Sequence, residues 1–173
     1  MTALKAATLA VAVVALATLA APAPLVRAAT DQQIACTFTV HVRFSPGISA
    51  RLERIRIDSP QPGTASCAGT WSGRAVGGDG LVTFAGDAIG NCPASTIDST
   101  TSLDLPLAGG GRAHIDIPLR SGRVGETIYG AGTEPSHPAS VLATGSPDAG
   151  QNCVVTPITG ITVQGRVVVG PWS

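Results

Sequence analysis

His114 and Asp116 stand two residues apart in Arg112-Ala113-His114-Ile115-Asp116-Ile117. In a strand that spacing puts both side chains on one face. A base oriented by a carboxylate is half of a hydrolytic triad. The chain offers no G-x-S-x-G elbow to supply the nucleophile, and alternating polar residues on a solvated strand face need no catalytic role. Hydrolysis is therefore the least favoured reading. His41 alternates with apolar neighbours on another strand, and His137 lies between Ser136 and Pro138; neither belongs to a recognisable catalytic motif. Asp79, Asp87 and Asp148 sit among glycines, as calcium ligands do, but without the regular ligand alternation of a calcium loop. Asp beside Gly is ordinary turn chemistry. Arg43, Arg51, Arg54 and Arg56 could form a basic patch for an anionic polymer, yet Glu53 and Asp58 are interspersed, which favours a solvated mixed-charge face.

Cys36, Cys67, Cys92 and Cys153 carry the firmest chemistry. No C-x-x-C pair is present and the spacings are too wide for zinc. An even cysteine count in an exported chain predicts two disulfides. Three pairings are open. Cys36–Cys67 with Cys92–Cys153 is favoured: the first two are inward positions near strand starts that could bridge two sheets, and each of the other two follows an Asn at the end of a Gly-rich loop. No cofactor and no metal is expected.

Export is read from the N-terminus. Lys5 precedes an unbroken Ala/Val/Leu/Thr run from Ala6 to Ala21, and Val26-Arg27-Ala28 presents a signal-peptidase site before Ala29. Cleavage after Ala20 is the alternative. The run is shorter than the ~20 apolar residues of a spanning helix. Gln33-Ile34-Ala35-Cys36 is a poor lipidation site, because Gln33 stands where an aliphatic residue belongs and lipidation would leave three cysteines. Residues 1–28 are thus expected to be a signal peptide and 29–173 a single secreted domain.

The whole chain has 11 bases and 11 acids. Removing residues 1–28 takes Lys5 and Arg27 and no acid, so the net charge becomes about −2. That balance gives no reason to expect nucleic acid or anionic lipid as partner. Aromatic residues are 3% of the chain, against 21 Gly and 13 Pro, a composition that suits short strands and tight turns.

Periodicity supplies the elements. Ile34, Cys36, Phe38, Val40, Val42 and Phe44 alternate without a break, giving one dry and one wet face. Ser45-Pro46-Gly47 reads as a turn. Arg51 to Asp58 is a second strand with Leu52 out of phase, which suggests a bulge or a late start. Ser66 to Ser72 is a third, with Trp71 placed beside an inward cysteine. Leu81 to Ala88 follows, with Val82 and Phe84 inward. Thr101–Leu107 and Arg112–Leu119 form a hairpin around Gly109-Gly110-Gly111, and Pro106 and Pro118 on its outward face suggest a sheet edge. Arg123 to Ala131 is a weaker strand. Gly132 to Asn152 is a long loop with a short strand at Val141-Leu142, and Ile158 to Val169 closes the chain. Eight or nine such strands without an amphipathic helix predict an all-β, immunoglobulin-like β-sandwich, with a β-barrel as the alternative.

Several short pieces are similar to those of a loose group of actinobacterial small secreted four-cysteine proteins. They are Cys36-Thr37 leading to Phe44-Ser45-Pro46-Gly47-Ile48, the lone Cys67 and Cys92, Ser121-Gly122-Arg123-Val124-Gly125-Glu126, and Cys153 through Pro157 to Gly160. The arginine-rich second strand departs from that group. The resemblance implies a secreted β-sandwich and supplies no activity or catalytic residue.

The expected function is that of a monomeric, non-enzymatic extracellular or cell-envelope protein binding an extracellular protein or envelope component. A secreted inhibitor of extracellular proteases or other hydrolases is the alternative. Loop 132–152, holding Glu134, His137 and Asp148, is the expected binding surface. Trp71, Tyr129 and Trp172 are too few and scattered to suggest a carbohydrate platform.

Overall fold

The computed structural model describes residues 33–134 and 137–170; the expected signal peptide and Trp172 lie outside them. The described chain is all-β, with ten strands in one antiparallel sheet. They are β1 (Gln33–Ile48), β2 (Glu53–Asp58), β3 (Gly63–Trp71), β4 (Arg74–Ala75), β5 (Asp79–Gly90), β6 (Ala94–Pro106), β7 (Arg112–Val124), β8 (Thr127–Glu134), β9 (His137–Pro147) and β10 (Ile158–Val169). Their order is β10-β9-β8-β7-β6-β5-β2-β1-β3-β4, and β10 also pairs with β1 while β3 also pairs with β5.

The opening alternation does what its pattern demands. Ile34, Cys36, Phe38, Val40, Val42 and Phe44 are all buried, and the residues between them face outward or are half-buried. One edge of β1 pairs with β10 from Ile34 to Arg43. The other edge is shared, β3 taking Gln33–Thr39 and β2 taking Arg43–Ser45. β1 is thus the strand on which three others converge, and its inward row meets those of β10, β9 and β7 in one apolar core.

Several expectations are corrected in detail. Ser45-Pro46-Gly47 is not a separate turn: it lies inside β1, at a break in register with β10 between Arg43 and Ile48. There Pro46 owes that ladder no N–H. The hairpin of β6 and β7 is not a sheet edge either, since β5 flanks it on one side and β8 on the other. Its prolines are tolerated because the flanking pairings stop short of them. β5 pairs with β6 only as far as Asp104, and β8 pairs with β7 only from Leu119 onward. Leu52 is out of phase because β2 starts at Glu53. Most of the expected loop 132–152 is strand: β9 runs from His137 to Pro147 with Ala139, Val141 and Ala143 buried.

Both disulfides have the favoured connectivity, Cys36–Cys67 and Cys92–Cys153. The first does not bridge two sheets. Cys36 and Cys67 face each other directly on neighbouring strands β1 and β3, with Cα atoms 4.0 Å apart, so the bond links adjacent strands within a sheet. The close approach matches a non-hydrogen-bonded antiparallel pair.

Candidate functional site

Four connections gather at one end of the sheet: β1–β2 (49–52), β5–β6 (91–93), β7–β8 (125–126) and β9–β10 (148–157). They are tied to one another by three devices. Cys92–Cys153 joins the second to the fourth. The Cys92 N–H donates to the Ser49 carbonyl at 2.9 Å, adding the first. Arg123 adds the third.

Arg123 is only 7% exposed. Its Nε donates to Ser95 Oγ at 3.2 Å, Nη1 to the carbonyls of Cys92 (3.0 Å) and Gly125 (2.7 Å), and Nη2 to the Asn91 carbonyl. Four of the five guanidinium N–H groups are thereby used. Burial lowers its pKa from the ordinary arginine value, because a charge leaving water is disfavoured. Among the described residues it joins no ion pair, whereas the pairs that do form lie on the outer surface.

The β9–β10 loop is folded on itself. Asn152 Oδ1 accepts from the backbone N–H of Val154, Val155 and Thr156 at 3.1, 2.9 and 3.3 Å. Cys153 has φ of 65°, and its N–H donates to the Thr156 carbonyl at 2.9 Å. Gln151 Oε1 accepts from Thr159 and Gly160. With its own polar groups occupied in this way, the turn projects apolar side chains outward. Val154 and Val155 are 85% and 82% exposed, and Leu52 and Val124 at the same end are 70% and 59% exposed. Leu52, Val154 and Val155 stand on the tethered connections, and Val124 is the last residue of β7.

The three residues expected to share a binding loop are divided between the two ends. Glu134 and His137 face each other in register across the β8–β9 connection, and the His137 ring lies 6.1 Å from that of Trp71. Asp148 is at the braced end, beyond the 11 residues of β9, a separation of about 35 Å at a strand's rise per residue. There Asp148 pairs with His41, Nε2 to both carboxylate oxygens at 3.1 Å. A side chain at Gly160 would run into this pair, so glycine makes room for it. Arg43, one strand repeat from His41, pairs with Asp58 at 2.9 Å.

His114 and Asp116 are neighbours, Nε2 to Oδ1 at 3.3 Å, and both are exposed. A hydroxyl is also present: Ser102 Oγ donates to Asp116 Oδ1 at 2.6 Å. The order is wrong for nucleophilic catalysis, since the carboxylate lies between serine and histidine and the imidazole does not reach the hydroxyl as base. His114–Asp116 runs along β7, and Ser102–Asp116, Arg112–Asp104 and Arg120–Asp98 are cross-strand pairs on the outer face of β6 and β7. Asp79, Asp87 and Asp148 do not converge: Asp87 faces Asp98 across β5 and β6, while Asp148 is held by His41. No group of three potential metal-ligating side chains occurs among the described residues.

The sequence reading missed the role of Arg123. Ala113, Ile115, Ile117 and Leu119 set an inward phase on β7, and continuing it by two steps reaches Ser121 and Arg123. The His41–Asp148 pair spans 107 positions and left no local trace.

The fold and this end of it define a disulfide-tied, all-β protein with a braced, apolar-tipped loop face. The chain matches no family model, no curated protein and no solved structure.

Proposed function

We propose that this is an exported, non-enzymatic binding protein that engages an extracellular protein or cell-envelope component through the braced loop end. The observation that carries the reading is the projection of Val154 and Val155 from a turn fixed by Asn152 and by Cys92–Cys153. A preorganised apolar contact loses little conformational entropy on binding. Export is supported by the apolar run before residue 28 and by the two disulfides, which are consistent with an oxidising compartment.

The inhibitor alternative draws on the same tethered loop. The turn at 152–156 is folded rather than extended, which gives less support to strand-like insertion into a protease cleft. Unchanged rates of subtilisin- and trypsin-like proteases at micromolar excess of the protein would remove that alternative.

Immobilised wild-type protein and the Val154→Asp/Val155→Asp variant test the main reading against cell-wall, polysaccharide and secreted-protein preparations. A partner retained by the wild type and lost by the variant is expected. Equal retention by both would place the contact elsewhere.

A further inference from the structure

The outer face of β6, β7 and β8 carries an open aromatic ring. Tyr129 on β8 stands opposite Gly122 on β7. A Cβ at Gly122 would lie 2.9 Å from both Cζ and Oη of Tyr129, so the ring occupies the space that a side chain at 122 would take. Covering a strand glycine in this way uses one side of a cross-strand ring. The other side is left to solvent, and Tyr129 is 52% exposed. Leu142, its register partner on β9, is 63% exposed and extends the apolar strip.

Polar groups adjoin the ring. Arg120 precedes Gly122 by two residues and shares its face of β7, about 7 Å away at a strand's rise per residue. Its Nε donates to Asp98 Oδ1 at 3.1 Å. That bond leaves the Nη groups and Oδ2 unused, in side chains that are 89% and 74% exposed. The outward row continues through Asp87 to Arg56, two acids between two arginines, so it offers donors and acceptors with no net charge. Asp98 and Arg120 also border a groove of about 620 Å³ over Ala85, Thr100, Pro118 and Ala131, whose short side chains keep it open. Its size falls within the ~300–1,000 Å³ of small-molecule sites.

We infer that this face binds a neutral saccharide, one pyranose ring resting on Tyr129 with its hydroxyls on Arg120 and Asp98, and further sugar units lying in the groove. The three features follow one another along β7: the ring at the level of Gly122, the charged pair at Arg120, the groove floor at Pro118. An aromatic face is electronegative and attracts polarised hydrogens, which the axial C–H bonds of a pyranose supply. A hydroxyl both donates and accepts, whereas a carboxylate only accepts and a guanidinium only donates. Adjacent hydroxyls of one sugar therefore match the two members of the pair. A row without net charge gives an acidic polymer no advantage. Spacing along the chain gives no sign of the site, because its residues come from three strands. It lies on the side of the sheet and stands apart from the partner proposed for the loop tips.

The test titrates the isotope-labelled mature chain with cellohexaose, chitohexaose and maltohexaose, and with hexagalacturonate as the acidic counterpart. At least one neutral probe is expected to bind at millimolar concentration, shifting the ring signals of Tyr129 and the amides of Gly122 and Arg120. Hexagalacturonate is expected to bind more weakly than that probe. Tyr129→Leu keeps a side chain over Gly122 and removes the aromatic face; it is expected to weaken binding about tenfold, the lower end of what one aromatic stack contributes. Arg120→Gln is expected to weaken it about fivefold, the equivalent of one hydrogen bond, with stability close to wild type because the ion pair is exposed. If Tyr129→Leu fails to fold, Arg120→Gln decides. No shift with any neutral probe at millimolar concentration, shifts confined to residues 152–156, tighter binding of hexagalacturonate, or equal affinity of wild type and Arg120→Gln would each overturn the inference.

Discussion

Replacing Arg123 with Met keeps much of the side chain's length and removes its donors. The carbonyls of Asn91, Cys92 and Gly125 and the Ser95 hydroxyl would lose their partner together. A buried acceptor left unpaired costs about 1–3 kcal/mol. Water from the groove under the β9–β10 loop can reach some of these, and the variant escapes the desolvation penalty of the guanidinium. The balance is a loss of about 3 kcal/mol, the cost of the acceptors that water does not reach less the desolvation relieved. Urea unfolding of wild type and variant measures it. Amide exchange should accelerate first at the 91–93 and 125–126 connections, which Arg123 joins. Stability within about 0.5 kcal/mol of wild type, the range of an ordinary surface change, would refute the role given to Arg123. Burial lowers the folded-state pKa of this base, so its titration makes stability rise with pH only above that lowered value.

Other perturbations have separable outcomes. Cys92→Ala/Cys153→Ala opens a link of sequence separation 61, worth about 4 kcal/mol by chain entropy; chemical denaturation should show that loss, with exchange at Val154 and Val155 rising more than in β1. Thr101 Oγ1 is fully buried without a partner, so Thr101→Val should raise stability by about 1 kcal/mol in urea titrations. A double-mutant cycle on His41 and Asp148, which are both partly exposed, should give a coupling below about 1 kcal/mol.

Much of the framework was legible because burial is periodic. The unbroken alternation of β1 and the in-phase Ile161, Val163, Val167 and Val169 of β10 needed only strand geometry. β9 was read as loop because Gly145, Ser140, Ser146 and two prolines resemble turn chemistry, while its inward row of Ala139, Val141 and Ala143 is small and weakly hydrophobic. Tertiary pairing with β8 and β10 overrides that local signal. The prolines of β6 and β7 were placed correctly on the outward face, but sheet position depends on where neighbouring pairings end. The braced end was least legible. Most of its ties join residues 28 to 107 positions apart, and the arginine at its centre has the same letter as those on the surface.

Disulfide mapping of protein recovered after export bears most directly on the central claim, that covalent and guanidinium ties hold four loops as one binding face. Non-reducing peptide mass spectrometry should return two linked pairs, Cys36 with Cys67 and Cys92 with Cys153. A linkage from Cys92 to either of the first two cysteines, or four free thiols, would contradict it.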